Sequence, residues 1–558
     1  MRYGWTIVFI LAALLLFFFG MSRIPLWSGD EGRYGEIARE MWESKDFILP
    51  RFNYVDIFEK PILAPLLTAG SFAVFGVSAW AARLPGIFSA LLGLLMTYSF
   101  ARRFFGPKAA TWSAIVLLTS IGYVLMGRFA MIDTLMTFFI SVSLFCLMTA
   151  AIARKRRYYY LAYAAMGLAL VTKGLIGVAL PLMVYGVYLA ATGNLAEIRQ
   201  MRLGRGLLII VLIFIPWGIA ISIREPEFSY VFVMKQHLMR FTTGSFGRRR
   251  PFWFFLPILL ALSFPWSFFL PAAVRDGLKQ SVGVERNKIL FLVIWAAVIF
   301  VFFSIPKSKL PYYILPLSMP LAMLVGIFLD NLVRFDNSGE RFKDLKWMWR
   351  AMAAVGFMGI VGLNLYLWFW AKDGRALALK ALVQPLVPAL SLTVLAGGCS
   401  VYWWNKQKRT QLAILTLAAT VYFCLLVAIL GMIRLSPFMS TFDYAQYLKP
   451  LLKEADIVAV YASPDHFSDL PFYLERRVVV VGSDRGTLAE ESVDADDAQE
   501  DKNWFLESGS FVRLFNARES RVFCLLKSDG LDELVRVGLE KYTVLKAGDG
   551  KLLISNGA

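Results

Sequence analysis

Long apolar stretches, each about as long as a helix that crosses a bilayer, recur along most of the chain. A hydrocarbon core about 30 Å thick requires about 20 mostly apolar residues per helix. Residues 1–435 are therefore predicted to form one transmembrane domain. It would have about thirteen spanning helices, at 5–22, 83–101, 109–126, 132–152, 158–173, 175–192, 207–223, 253–271, 289–304, 310–331, 350–370, 384–404 and 410–433.

The last part of the chain, 436–558, has the pattern of a water-exposed domain. Runs rich in β-branched and aromatic residues predict strands at 456–462, 477–482, 521–526 and 542–546. Stretches at 442–455 and 530–539 have helical periodicity. We therefore predict a polytopic α-helical membrane protein with a small C-terminal α/β domain.

Two segments that follow the first span decide the orientation of the chain. Residues 31–45 are amphipathic, and residues 61–76 are apolar but short. If neither spans, the basic clusters at 102–108, 154–157, 199–205, 275–288, 334–346 and 406–409 all fall on the side of the N-terminus, which the positive-inside rule makes cytoplasmic. We therefore predict two interfacial helices in the first periplasmic loop. The odd number of spans then places the C-terminal domain in the periplasm.

Composition supports this membrane assignment and changes the meaning of the net charge. The 558 residues are 58% hydrophobic and 18% charged, whereas soluble domains are roughly 45–50% apolar and about 25% charged. The formal net charge of +18 would suit nucleic acid in a soluble protein. In a polytopic chain the cations first determine topology and then suit anionic membrane lipids. We expect membrane lipids as partners, no nucleic acid, and a monomer rather than an oligomer.

Two carboxylates at the ends of predicted spans are the first candidates for chemistry. Asp30 follows the first span, and Asp133 begins another one, five residues after Arg128. A carboxylate there can accept a proton, attract a cationic substrate or bind a metal. Asp30 could instead only cap a helix. Charged groups near membrane depth usually line a water-filled cavity or pair with each other.

Cations and aromatic residues in the other outer segments predict phosphate binding. Lys60 could neutralise a lipid phosphate, although an anchor at the bilayer surface is the alternative. Lys307, Tyr312 and Tyr313 could bind substrate or form an interfacial belt, and Arg128 and Lys173 could snorkel. Glu59 and His237, with Asp30, are candidate ligands of a divalent metal, which would be the cofactor.

Together these segments resemble the membrane glycosyltransferases of the C type. The matching motifs are Asp-Glu-x-Arg-Tyr at 30–34, Glu-Lys-Pro at 59–61, Arg-Phe-x-x-x-Asp at 128–133, Leu-x-Thr-Lys-Gly at 170–174 and Ser-Lys-Leu-Pro-Tyr-Tyr-Ile-Leu-Pro at 308–316. They follow the pattern of the bacterial branch related to protein O-mannosyltransferases. Within it, the chain is most similar to the 4-amino-4-deoxy-L-arabinose lipid A transferases.

The resemblance implies that aminoarabinose is transferred from undecaprenyl phosphate to lipid A phosphate groups at the periplasmic face of the inner membrane. It would modify lipopolysaccharide charge and give resistance to polymyxin. By this resemblance Asp30 is the essential carboxylate and Asp133 the second acidic site. The substrate or phosphate ligands would be Arg33, Tyr34, Lys60, Arg128, Lys307, Tyr312 and Tyr313.

Two other functions stay open at this point. A related enzyme could transfer a different polyprenyl-linked sugar to a protein or another glycan. Gly29 stands where many protein mannosyltransferases have a second Asp, which counts modestly against a protein acceptor. A lipid or solute transporter is a different class, in which charged outer loops gate a pathway. The spans show no paired interruptions of the kind found in transporters, which favours the enzyme.

Overall fold

The transmembrane part is a bundle of long apolar helices. The computed structural model describes residues 2–57, 60–226, 228–230, 232, 250–334, 380–461, 463–482 and 504–557, with isolated residues between 350 and 365. The first ten helices are α1 (Arg2–Phe18), α2 (Asp30–Ser44), α3 (Leu63–Phe75), α4 (Ala79–Phe105), α5 (Pro107–Leu118), α6 (Ile121–Gly127), α7 (Ile132–Ala153), α8 (Arg157–Lys173), α9 (Ile176–Ala191) and α10 (Leu203–Arg224). They are followed by α11 (Phe228–Tyr230), α12 (Phe255–Leu262), α13 (Leu270–Gln280), α14 (Gly283–Ser304), α15 (Ser318–Arg334), α16 (Val387–Lys406) and α17 (Thr410–Met439).

The spanning helices agree with the predicted stretches in position but do not confirm their number. Within the described ranges, eight helices are long and apolar enough to cross a membrane, or up to ten if each of two bent pairs is one span. Two further predicted spans coincide with the shorter helices α8 and α9, of 17 and 16 residues. The predicted span 350–370 lies mostly outside the described residues.

Two predicted spans are broken, which the sequence did not indicate. The helices α5 and α6 meet at 64°, and the helical segments Phe252–Leu262 and Trp266–Lys279 meet at 108°. At the first break the Ser120 hydroxyl donates to the Val116 carbonyl at 2.7 Å, which satisfies an acceptor that the helix has lost. The Trp266 indole donates to Thr119 Oγ1 at 3.0 Å and joins the two breaks. The expectation of uninterrupted spans is therefore wrong for the two predicted spans 109–126 and 253–271.

Four of the basic loops that the charge pattern placed on one side, those at 102–108, 154–157, 199–205 and 275–288, meet at one end of the bundle. Arg103 donates to the Tyr158 hydroxyl and Arg205 to the Tyr160 hydroxyl, each at 3.3 Å. Lys288 Nζ donates to the Phe104 carbonyl at 3.1 Å. These contacts join loops that are far apart along the chain. They agree with the alternation that the positive-inside rule predicts, and the candidate residues lie at the other end.

The first outer loop forms the compact unit α2, the short strands β1 (Arg51–Phe52) and β2 (Val55–Asp56), and α3. The helix predicted over 31–45 is confirmed as α2, but five of its charged residues, Glu31, Arg33, Glu36, Arg39 and Glu40, are buried and do not face water. Arg39 and Glu36 are both fully buried and joined by two hydrogen bonds of 2.6 and 2.7 Å. The helix is covered by protein because α2 and the hairpin contribute Ile37, Phe52 and Val55 to the apolar core of the C-terminal domain.

The C-terminal domain is built on a mixed sheet, with strands β3 (Ile457–Tyr461), β4 (Val479–Val481), β5 (Phe505–Leu506), β6 (Val522–Lys527), β7 (Thr543–Gly548) and β8 (Lys551–Ser555). In the described part of the chain the strand order is β5-β4-β3-β6-β8-β7. Neighbours from β5 to β6 are parallel, and β8 is antiparallel to both β6 and β7. Its helices are α18 (Phe442–Leu448), α19 (Leu470–Leu474), α20 (Ser508–Ala517) and α21 (Gly530–Arg536). The small α/β fold is confirmed. The helix α17 continues to Met439, beyond the predicted boundary at 435.

Candidate active site

Asp30 begins α2, and its carboxylate contacts two side chains from different parts of the fold. Arg33 Nη2 donates to Asp30 Oδ1 at 2.8 Å, and the Tyr312 hydroxyl donates to Asp30 Oδ2. The Asp30 side chain keeps 22% of its accessible surface, whereas that of Arg33 keeps 4%. The carboxylate is thus oriented by protein groups and still open to a ligand.

Asp133 and Lys173 form an ion pair between the start of α7 and the end of α8. Lys173 Nζ donates to Asp133 Oδ1, and the side chains are 11% and 3% exposed for Lys173 and Asp133. Antiparallel neighbouring helices bring these two ends together, 40 positions apart in sequence. The pairing keeps two charges at membrane depth mutually compensated.

Tyr312 and Tyr313 connect the Asp30–Arg33 ion pair and the Asp133–Lys173 ion pair in one cluster. Lys173 Nζ lies 5.9 Å from the centre of the Tyr312 ring and 4.8 Å from that of Tyr313, within cation–π range. Asp133 is also within electrostatic range of Asp30 and of Lys60. Residues from five separate segments therefore meet. We name Asp30, Arg33, Lys60, Asp133, Lys173, Tyr312 and Tyr313 the outer cluster.

Tyr34 lies at the edge of the outer cluster. The Arg33 guanidinium carbon is 5.0 Å from the Tyr34 ring centre, and Arg33 Nη2 donates to the Tyr34 hydroxyl at 3.4 Å. Arg33 and Tyr34, the predicted neighbours of Asp30, therefore contact each other, and Arg33 contacts Asp30 as well.

Glu31, the neighbour of Asp30, has a different environment. Its carboxylate accepts two hydrogen bonds of 2.8 Å from Arg83, one of 3.0 Å from the Trp27 backbone N–H and one of 2.9 Å from that of Ala130. Both partners of the ion pair are buried. Glu31 thereby joins the first loop to α4 and to the segment that leads into Asp133, and it positions both candidate carboxylates. The sequence did not predict a role for Arg83, because a cation at the start of a span is common and carries no specific signal.

Arg128 is buried, and its donors point towards the first helix. Nη1 donates to the Leu16 carbonyl, and Nη2 donates to the Phe19 carbonyl at 2.7 Å. Carbonyls at the C-terminal end of a helix lack intrahelical partners, and a guanidinium satisfies them well. This placement gives Arg128 the role of a cap for α1, and a phosphate-binding role for it stays a prediction.

Lys307 is exposed, and its backbone carbonyl accepts a hydrogen bond of 2.9 Å from the Arg250 N–H. The neighbouring Lys309 is buried and donates to the carbonyls of Arg250 and Pro306. Of the two lysines, only Lys307 is thus placed to meet a phosphate from outside.

The predicted metal ligands Glu59 and His237 lie outside the described residues. In the described ranges, no group of three or more His, Cys, Asp or Glu side chains is arranged to hold a metal. A metal site therefore stays a prediction.

A wide cavity of about 660 Å³ lies at the opposite end of the bundle, lined by residues 154–157 with Ala150, Tyr159 and Gln200. The helix α7 has 22 residues and is about 33 Å long, and Asp133 lies at its start whereas Arg154 follows its end. This cavity is therefore separate from the outer cluster. A narrow apolar crevice does reach the cluster, with Tyr312 in its wall beside Gly122, Met126, Leu259 and Leu262.

Comparison with known proteins places this chain in a defined family. Residues 59–219 match the family model described as dolichyl-phosphate-mannose-protein mannosyltransferase. An undecaprenyl phosphate-α-4-amino-4-deoxy-L-arabinose arabinosyl transferase of Edwardsiella ictaluri is 31% identical over 74% of this chain and 74% of its own length. The chain belongs to this arabinosyl transferase family. The predicted resemblance is thereby confirmed.

Other relatives agree over different parts of their length. The same-named enzyme of Pseudomonas aeruginosa strain LESB58 is 31% identical over 62% of this chain, and the match spans 65% of that enzyme, just under two thirds. A crystal structure of ArnT from Cupriavidus metallidurans bound to undecaprenyl phosphate superposes with a TM-score of 0.84 and 27% identity, over 100% of this chain and 99% of that one. Its apo state gives 0.83. The chain is therefore a multi-pass membrane protein with the fold of a lipid-phosphate-sugar glycosyltransferase.

Proposed function

We propose that this protein transfers 4-amino-4-deoxy-L-arabinose from undecaprenyl phosphate to lipid A phosphate groups at the periplasmic face of the inner membrane. The observation that carries the proposal is the outer cluster, which gathers charged and phenolic groups from five segments at one end of a chain that matches ArnT over its whole length. The modified lipid A would carry an added amino group, so the charge of the lipopolysaccharide would be less negative.

The charges of the cluster suit two anionic reactants. Within the described part of the chain, the cations Arg33, Lys60 and Lys173 outnumber the carboxylates Asp30 and Asp133. In the reaction a lipid A phosphate oxygen attacks the anomeric carbon, the bond from that carbon to the undecaprenyl phosphate oxygen breaks, and its electron pair stays on the departing phosphate. Preorganised cations stabilise this developing charge best in a site with little water.

The carboxylates have separate roles in this scheme. An acceptor phosphate is already anionic, so it needs no strong general base. Asp30, open to ligand and aligned by Arg33 and Tyr312, would orient the acceptor or bind the amino group of the sugar. Asp133 would hold Lys173 towards the departing phosphate. Direct displacement, with attack from the side opposite the departing phosphate, inverts the configuration at the anomeric carbon.

The polyprenyl tail needs an apolar surface beside the cluster. The crevice with Tyr312 in its wall is lined mainly by apolar residues of α6, α12 and the turn before α15. The crevice itself has a volume of only about 20 Å³, so a tail would lie against this apolar surface, with its phosphate near Tyr312.

The orientation of the chain follows from the location of the substrate. The C-terminal domain packs on α2, the helix that begins with Asp30. If the reaction is periplasmic, this domain is periplasmic too, and the basic loops at the other end, together with the N-terminus, face the cytoplasm. The positive-inside rule supports the same orientation.

The decisive test uses the purified chain in proteoliposomes with undecaprenyl-phosphate-linked aminoarabinose and lipid A. We expect a mass gain of one aminoarabinose per modified phosphate. Asp30→Asn should abolish it, while Asp532→Asn, on an exposed helix of the C-terminal domain, should not. No gain with lipid A but transfer to a protein or another glycan would identify the related enzyme instead. Movement of the donor across the bilayer without transfer would identify a transporter.

A further inference from the structure

We propose that the C-terminal domain is a positioning element for the reaction. It holds the first outer loop at two places. Ser468 and Asp469 hold the limb that precedes Asp30, and the Val478 backbone holds the limb that leads towards Lys60, so that Asp30 and Lys60 face the rest of the outer cluster. The expected effect on the reaction rests on the proposed function, whereas the expected effect on the position of the loop does not.

The first limb is held at Gly29, directly before Asp30. The Gly29 N–H donates to Ser468 Oγ at 2.7 Å, and the Ser468 hydroxyl donates back to the Gly29 carbonyl at 2.8 Å. Gly29 has φ 98° and ψ −140°, a conformation that side chains strongly disfavour. One serine of the C-terminal domain therefore binds both backbone groups of the residue that sets the direction of Asp30.

Asp469 joins three parts of the molecule through one fully buried carboxylate. Oδ1 accepts from the Ser28 hydroxyl at 2.5 Å, and Oδ2 accepts from the Ser440 hydroxyl and from the Thr441 N–H, each at 2.6 Å. Ser28 belongs to the first loop, whereas Ser440 and Thr441 follow the last transmembrane helix. Ser28 N–H also donates to the Met439 carbonyl at 2.8 Å. The beginning and the end of the membrane domain are thus tied together beside Asp30.

The approach of the two segments is too close for a side chain at Gly32. A Cβ added there would lie 2.7 Å from the Asp469 backbone nitrogen and 2.8 Å from Asp469 Cβ. Because a backbone atom is in the way, a methyl group could be accommodated only by moving the domain away from the loop. This gives a second and independent way to disturb the contact.

The second limb is held at Asn53, in the turn of the β1–β2 hairpin that leads towards Lys60. Asn53 Nδ2 donates to the Val478 carbonyl at 2.9 Å, and Asn53 Oδ1 accepts from the Val478 N–H at 2.8 Å. Each strand of the hairpin has two residues, and so short a hairpin is not stable alone. The domain therefore supplies the support that orients this limb.

These contacts predict a role in the reaction beyond attachment of the domain. A buried carboxylate is costly, and a docked domain could be held by apolar packing alone. The polar contacts instead concentrate on Ser28 and Gly29, next to the only ligand-accessible carboxylate that we assign to the reaction. A misplacement of about 1 Å can cost about 10²-fold in rate.

The test compares Asp469→Leu and Gly32→Ala with two matched controls in the full chain. Asp532→Asn removes an exposed carboxylate of the same domain, and Gly70→Ala adds a methyl group in α3 where nothing lies within 4 Å. Hydrogen exchange at the amides of Gly29, Gly32 and Arg33 reports the position of the loop. We expect faster exchange there, a loss of about 10²-fold in kcat and weaker binding of undecaprenyl phosphate, for the first pair only.

A conservative variant separates positioning from folding. In Asp469→Asn the amide oxygen can still accept from the Thr441 N–H, and its NH2 group can donate to Ser28 Oγ. We expect this variant to keep kcat within about tenfold of the wild type, because the loop stays in place. Unchanged kcat in Asp469→Leu despite faster exchange around Gly29 would overturn the proposal, as would equal losses in the Leu and Asn variants.

The binding of undecaprenyl phosphate provides a readout that does not require the proposed reaction. If the wild-type protein transfers no aminoarabinose, native mass spectrometry with undecaprenyl phosphate still compares the variants. Weaker binding in Asp469→Leu and Gly32→Ala, with normal binding in both controls, would support positioning even though the proposed function had failed. Equal binding in all five proteins would contradict it.

Discussion

Tyr312 donates its phenolic hydroxyl to Asp30, a residue 282 positions earlier in the chain. The bond joins the first outer loop to the beginning of the segment that continues into α15. It also brings Lys173, which lies beside the Tyr312 ring, close to the loop. The bond therefore links the Asp30–Arg33 ion pair of α2 with the Asp133–Lys173 ion pair of α7 and α8.

Removal of this hydroxyl should reduce catalysis without unfolding the protein. In Tyr312→Phe the ring stays and Asp30 loses one charge-assisted hydrogen bond, worth about 1.5–3 kcal/mol. We expect kcat to fall by about 10- to 100-fold. The measurement is the rate of lipid A modification, with Tyr402→Phe, on the exposed side of α16, as the control. A Tyr312→Phe protein as active as this control would remove Tyr312 from the site.

The ion pair of Asp133 and Lys173 should behave as a unit. Lys173→Met leaves a carboxylate buried without its cation, at a cost of about 3–5 kcal/mol in the free energy of unfolding. Asp133→Leu together with Lys173→Met removes both charges and should recover much of this stability, while transfer stays lost. Thermal unfolding of the single and double variants measures the coupling. Additive effects on the unfolding temperature would show that the pair does not interact.

Arg83 should affect activity although it is not part of the outer cluster. Arg83→Met leaves Glu31 buried without a partner and releases the loop that carries Asp30, so we expect a loss of about 3–5 kcal/mol in stability. Glu31→Gln in the same chain removes the orphaned charge and should restore part of it. Unfolding temperatures and transfer rates test this. Greater damage in the double variant than in Arg83→Met would contradict the scaffold role.

Much of the site was predictable because motifs at helix ends are local signals. Asp30, Asp133 and Tyr312 each stand where a predicted span begins or the first span has ended, and alternation of charged loops places them on one face. Their partners depend on how helices pack, which a single sequence does not show. The sequence also did not show that Arg128, which is predicted to bind phosphate, donates to the carbonyls at the end of α1.

Parts of the fold lacked any usable sequence signal. The break between α5 and α6 falls at Thr119 and Ser120, with neither Pro nor Gly at these two positions. The Ser120 hydroxyl satisfies the Val116 carbonyl, which has lost its backbone donor. Asp469 is one of many acidic residues in a polar domain, and only tertiary structure shows that it is buried against Ser28.

The metal prediction for Glu59 and His237 calls for a direct test. We expect transfer to fall if EDTA removes a required divalent ion, and to return when the ion is added back. Glu59→Gln and His237→Ala should then weaken metal binding measured by elemental analysis, whereas His466→Ala, in the C-terminal domain, should not. Full activity after exhaustive chelation, with no metal in the purified protein, would exclude the predicted site.

The C-terminal domain should lose stability in acid through a single ion pair. Arg521 donates to Asp456, and its guanidinium holds the pKa of that carboxyl below the usual 3.8. A lowered pKa in the folded state contributes stability above the unfolded-state pKa, and this contribution disappears as the pH falls through the folded-state value. Arg521→Ala should therefore lower the unfolding temperature most near neutral pH, and the difference from wild type should shrink as the pH falls towards and below 3.8. Scanning fluorimetry of the full chain from pH 7 to 3 measures it, with Arg513→Ala, which loses only a bond to Ser510 Oγ, as the control. A difference that stays constant over this range would mean that Arg521 stabilises the domain by packing and not by charge.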